Sequence, residues 1–112
     1  PHLQKQKFTA TLDGIVETGY ADYLIIFNNN QMPIEAKYVK VWDKSFYNPE
    51  YLSKLPWASD EVGRLLHQAK RYNAAFNEVV YHTNCMELAN CYTKLFNENG
   101  VINFEFVITP TF

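Results

Sequence analysis

The chain reads as an α/β domain: a mixed central β-sheet flanked by helices. Three observations predict this. The first forty residues run through β-branched and aromatic stretches with no helical period. From Val62, apolar residues recur at helical spacing through Phe76. After that helix a short apolar strand, a second helix and a last strand alternate, the pattern of a sheet with helices on its faces. The predicted order is β-β-β-α-β-α-β.

Each element has its own reason. Phe8 to Val16 is rich in β-formers and reads as the first strand, with Gly19 breaking it. Tyr20 to Phe27 and Ile34 to Trp42 read as two further strands, apolar on both faces as central strands covered on each side are. Between them Asn28, Asn29 and Asn30 tolerate the left-handed backbone of a tight turn. Pro33 argues that regular pairing starts after it. Residues 43–57 hold Pro49 and Pro56 and read as a loop, with a helical turn near Glu50 to Lys54. Ser59 reads as an N-cap, with Asp60 and Glu61 complementing the helix dipole. Val62, Leu65, Leu66, Ala69, Tyr72 and Phe76 form the buried face of the helix that follows. Glu78 to Thr83 is a short strand. Asn84 is expected to cap a second helix through Phe96, which Gly100 stops. Val101 to Ile108 is the last strand, closed by Pro110.

Length and composition narrow the function classes. The 112 residues make one domain, 1–112, large enough to bury a core but not two. Apolar content of 47% with 18 aromatic residues argues for a folded globule. No stretch approaches the roughly 18 consecutive apolar residues of a membrane span. With Pro1-His2 at its start and no signal peptide, the chain is expected to be a mature or excised domain. Cys85 and Cys91 fall on different faces of one predicted helix, so they read as buried small hydrophobes rather than a disulfide or a zinc site. Net charge is −2, but seven of the ten basic residues fall in 37–71 against four acids. Lys40, Lys44, Lys54, Arg64, Lys70 and Arg71 are therefore candidates for a phosphate-binding face, the alternative being a solvated mixed surface. Trp42 and Trp57 flank this stretch, and core packing is favoured over base stacking for both.

The chemistry concentrates in the second and third predicted strands. Glu35 and Lys37, two apart, share one face. A hairpin folded about Asn28 and Asn29 puts Asp22 opposite Glu35. Two carboxylates and a lysine on one sheet face can hold a divalent cation and activate water, the chemistry of phosphodiester hydrolysis. The bland alternative, a surface Glu35–Lys37 ion pair, strains against Leu24 to Phe27 and Ile34, which are too apolar for an exposed sheet.

These residues resemble the PD-(D/E)xK nuclease superfamily, the restriction-endonuclease fold. Asp22, Glu35 and Lys37 match its acid followed by Glu-x-Lys. Gln68-Ala69-Lys70-Arg71-Tyr72 matches its helical Gln-x-x-x-Tyr, and Val79-Val80-Tyr81-His82 its next strand. The likeness covers about residues 8–84, in the family's αβββαβ order without its first helix, which is expected to be truncated. Ala21 replaces the family's proline. Glu17, or failing it Asp13, is the candidate for the family's further upstream acid.

The resemblance implies a metal-dependent endonuclease using Mg²⁺ or Mn²⁺. Asp22, Glu35 and the Ala36 carbonyl would be ligands. Lys37 would orient water or offset transition-state charge, and Gln68 would hold phosphate or nucleophile. Tyr72 would pack over the site or serve as a plain core aromatic. His82, at the end of its strand, is a weaker candidate for touching phosphate; His67 and His2 are weaker still. The implied substrate is nucleic acid, DNA favoured over tRNA. The implied context is the toxin domain of a contact-dependent inhibition system, delivered from one bacterium into the cytoplasm of another and neutralised by an immunity protein. A repair or junction-resolving nuclease in its own cytoplasm, and a degenerate binding module that is not an enzyme, are the alternatives.

Overall fold

The computed structural model describes residues 4–110, so His2 lies outside the described residues. The fold is mixed α/β. Strands β1 (Gln6–Leu12) and β2 (Ile15–Ala21) form an antiparallel hairpin of their own. Strands β3 (Tyr23–Phe27), β4 (Asn30–Lys37), β5 (Val79–Thr83) and β6 (Phe104–Ile108) form a second sheet in that spatial order. β3 is antiparallel to β4, and β4, β5 and β6 are parallel. Between β4 and β5 lie a 3-10 turn (Trp42–Lys44), the short helix α1 (Pro49–Ser53) and helix α2 (Glu61–Ala75). Helix α3 (Met86–Glu98) joins β5 to β6.

The first predicted strand is in fact this hairpin. Asp13 and Gly14 both take positive φ, 51° and 79°, the backbone of a two-residue turn whose twist matches its strands. Asp-Gly is a strong hairpin signal, and here it splits the strand expected over Phe8 to Val16. Nor does Gly19 break a strand: it pairs with Phe8 inside the hairpin. A β-carbon there would collide with the Phe8 ring, which stacks on Tyr72 at 5.3 Å and meets Phe76 at 5.0 Å. Because the ring is held on both sides, Gly19→Ala is expected to destabilise the fold by about 1–3 kcal/mol, read as a lowered urea midpoint. An unchanged midpoint would show that the ring has room to retreat.

The third predicted strand ends at Lys37, not Trp42, because the chain turns into the 3-10 helix. Pairing with β3 runs through Pro33, opposite Leu24, and costs little there because pairing with β5 begins only at Ile34. The cap assignments each move by one residue. Asp60, not Ser59, caps α2 by accepting from the Gly63 N–H at 2.8 Å, while the Ser59 hydroxyl donates to Glu61. Cys85 holds the N-cap position of α3, and the Asn84 amide instead bonds both the N–H and the C=O of Val39 at 2.8 Å, tying down the loop after β4. Gly100 ends α3 with φ 79°. Cys85 is buried, Cys91 is half-buried, and both are free thiols.

Both long helices cover the same face of the sheet. Glu35, Tyr81 and Phe106 form one row across β4, β5 and β6. Tyr72 of α2 bonds Glu35 and lies 6.4 Å from Tyr81, and Phe96 of α3 lies 5.7 Å from Tyr81 and 6.0 Å from Phe106. The two parallel crossovers step across the sheet in the same direction, and a common handedness then puts both helices on one side. The expectation of cover on each side therefore fails. β3 is an edge strand with Tyr23, Ile25, Ile26 and Phe27 exposed, Ile26 to 73%. On the opposite face lie Tyr23, Ile25 and Phe27 with the half-buried Met32 and Ile34. The core sits under the helices, where Leu65, Ala69, Tyr72, Val79, Tyr81, Leu88, Tyr92 and Phe96 are buried.

Candidate active site

Asn28 and Asn29, with φ of 50° and 65°, close the β3–β4 hairpin and fix its register at Phe27 opposite Asn30 and Tyr23 opposite Ile34. The next pair outward is Asp22 and Glu35. Here side chains take over from the ladder: the Asp22 N–H donates to Glu35 Oε1 at 3.1 Å, and the Ala36 N–H donates to Asp22 Oδ2 at 3.0 Å. Each carboxylate is thereby locked to the backbone beside the other.

Glu35 is 1% exposed. A buried carboxylate is costly unless every oxygen is matched. Oε1 also accepts the Tyr72 hydroxyl at 2.5 Å, and Oε2 meets Lys37 Nζ at 3.3 Å. Burial, reinforced by the Glu35 charge, pushes the Tyr72 phenol well above its ordinary range, so the hydroxyl stays protonated and donates. Tyr81, next in the row, is raised by the same causes in the same order. Asp22 is more open, its side chain 23% exposed, with Lys5 Nζ 3.3 Å from Oδ1. Burial pushes its carboxyl upward, but the Ala36 N–H and the Lys5 ammonium outweigh that, and it sits below the usual carboxylate value.

The donor set fits a hard divalent cation. One oxygen of each carboxylate is spent on the backbone, and the other, Asp22 Oδ1 or Glu35 Oε2, faces a lysine ammonium. Those two oxygens already neutralise positive charge. Among the described residues no group of three or more His, Cys, Asp and Glu side chains gathers. A cation held by two carboxylates completes its shell with water and substrate oxygens, as Mg²⁺ commonly does.

The other predicted residues divide. Tyr72 touches Glu35 directly. Gln68, one turn earlier, lines a cleft of about 290 Å³ together with Lys37, Arg64 and Arg71. Glu17 does not join the carboxylates: it lies on β2, about 16 Å of extended strand from Asp22, and pairs with His67 Nε2 at 2.6 Å and Arg71 at 3.7 Å. It fastens the hairpin to α2. Asp13 is farther still, at the hairpin tip. His82 pairs with Ala36, one residue out of step with Glu35, so it points to the opposite face, where Nδ1 hydrogen-bonds the Thr109 hydroxyl at 2.9 Å. Lys40, Lys44 and Lys54 are exposed on the segment after β4, and Lys70 does not line the cleft. Trp42 packs against the core as expected, but Trp57 does not: it is 73% exposed.

Two residues went unnoticed in the sequence. Lys5, just before β1, reaches Asp22. Tyr47, in the proline-containing loop, lies 5.9 Å beneath the Lys37 ammonium and walls the cleft. Neither sits in a periodic segment, so no local signal marks it.

Fold and site together define a mixed α/β domain in which buried Glu35, half-buried Asp22 and Lys37 form a cluster whose lysine lines a cleft with Arg64 and Arg71. No protein-family model, no curated protein and no solved structure matches this chain. Among the described residues no helix is long and apolar enough to cross a membrane.

Proposed function

We propose that this domain is a metal-dependent nuclease of the PD-(D/E)xK type with a restriction-endonuclease-like core. The observation that carries the reading is the reciprocal bonding of Asp22 and Glu35, which leaves one oxygen of each on a lysine, Lys5 for Asp22 and, for Glu35, the Lys37 that lines the cleft. Asp22 and Glu35 would hold Mg²⁺ or Mn²⁺, with the Ala36 carbonyl as a further oxygen, and the ion would supply charge neutralisation and a more acidic bound water. Tyr72 holds Glu35 in one orientation and keeps its proton doing so. Lys37, 15% exposed between Glu35 and the cleft, places a cation where a phosphate entering the cleft develops charge. Gln68 lies on the same wall to orient that phosphate or the attacking water.

The favoured substrate is DNA, with tRNA the alternative. The cellular role we assign, from the resemblance alone, is a toxin domain acting in the cytoplasm of a target bacterium and held in check by a cognate immunity protein. Purified protein incubated with plasmid DNA and with total tRNA tests the activity. Cleavage is expected with Mg²⁺ or Mn²⁺, abolished by chelator and restored by added metal. Full activity in excess chelator would end this mechanism.

A further inference from the structure

The cleft does not stop at the catalytic cluster. Lys37, Arg64 and Arg71 line it, each with a carboxylate partner: Glu35 at 3.3 Å, Glu61 at 2.9 Å and, more loosely, Glu17 at 3.7 Å. Two buried polar atoms on its wall, Gln68 Oε1 and Arg71 Nε, have no hydrogen-bond partner among the described residues. Both residues line the cleft, so a ligand there that offers a donor and an acceptor would supply what each side chain lacks once it turns outward. Arg64, Gln68 and Arg71 follow one face of α2 over about 10 Å, more than a single phosphate needs.

Past Tyr47 the cleft continues as a shallow groove along Lys44, Ser45 and Phe46. Tyr47 is pinned: its N–H donates to the Ser45 hydroxyl at 3.0 Å, and its carbonyl accepts the Tyr92 hydroxyl at 2.6 Å. Phe46 and Trp57, both exposed, meet edge to face at 6.4 Å, and Phe46 stacks on Tyr51 at 6.2 Å. Large aromatics held at the surface, with Lys44 beside them and Glu61 across the groove, suit bases whose flat faces are free. Duplex bases are stacked on each other and cannot use such platforms.

We propose that the cleft and the groove beyond Tyr47 form a track for an unpaired nucleic-acid strand, with Arg64 and Arg71 on phosphates and Tyr47, Phe46 and Trp57 against bases. The track rests on the nuclease reading only for what the strand is brought to do, which is to present a phosphodiester to Lys37.

Binding is measured in chelator, where no metal-dependent cleavage occurs, by fluorescence anisotropy of a labelled oligothymidylate and of a closed hairpin duplex of similar length. The single strand is expected to bind at least roughly tenfold tighter, with quenching of Trp57 emission that Trp57→Ala removes while half-buried Trp42 remains. Trp57→Ala and Phe46→Ala should each weaken binding about fivefold or more without moving the thermal midpoint. Equal affinity for the duplex, or unchanged affinity in both variants, would overturn the track. The two readings fail separately. A strand that binds this way but stays uncut when Mg²⁺ or Mn²⁺ is supplied keeps the track and removes the nuclease. Cutting of closed duplex without preference for the single strand keeps the nuclease and removes the track.

Discussion

Asp22→Asn is expected to lower metal-dependent cleavage by at least about a hundredfold, the size of effect seen when one transition-state contact is removed, while leaving the fold close to intact. The asparagine oxygen can still accept the Ala36 N–H. What is lost is the charge facing Lys5, and an exposed pair of that kind is worth little to stability, about 0–1 kcal/mol. The stability profile supplies an independent readout. Because the Asp22 carboxyl is depressed in the folded state, its contribution is present above the ordinary carboxylate pKa and is lost as pH falls through the lower folded value. The wild-type thermal midpoint should therefore fall more steeply on the acid side than that of Asp22→Asn. Near wild-type cleavage by the variant would remove Asp22 from the chemistry.

Glu35→Ala should behave differently. In the structure Glu35 receives the Asp22 N–H, the Tyr72 hydroxyl and the Lys37 ammonium while almost fully buried. Removing it strands those donors, and breaking a buried pair by deleting one partner costs roughly 3 kcal/mol or more. A fall in thermal midpoint on the order of 10 °C is expected for a domain of this size. Lost cleavage in Glu35→Ala is thus ambiguous by itself, and Glu35→Gln, which keeps the volume and one acceptor, is the better probe of chemistry. A midpoint unmoved by Glu35→Ala would mean that the network contributes nothing to the fold.

The parts of the site that were legible in the sequence are those governed by short periods. Alternation placed Glu35 with Lys37, the asparagine turn placed Asp22 beside Glu35, and the helical repeat placed Gln68 with Tyr72. What escaped depends on contacts between segments distant in the chain. Lys5 and Tyr47 reach the cluster from irregular stretches. Glu17 lies on a strand whose partner went unrecognised because Asp13-Gly14 was overlooked, and so its role as a brace to His67 and Arg71 was hidden. The one-sided sheet was misread for another reason. β3 is as apolar as a central strand, and composition does not say which strand ends the sheet; the shared handedness of the crossovers does. Trp57, read as core, shows the same limit, since an aromatic's identity does not reveal whether neighbours close over it.

The two left-handed asparagines at the β3–β4 turn have a consequence beyond local geometry. Which face a strand residue occupies is a matter of odd or even position, and this turn sets the count. One residue more or less between Phe27 and Asn30, taken up as a slip of β4 against its neighbours, would bring Ala36 under Tyr72 and send Glu35 and Lys37 to the bare side with His82. The acid–acid–lysine cluster is therefore stored as a parity, set by a turn at the far end of the hairpin.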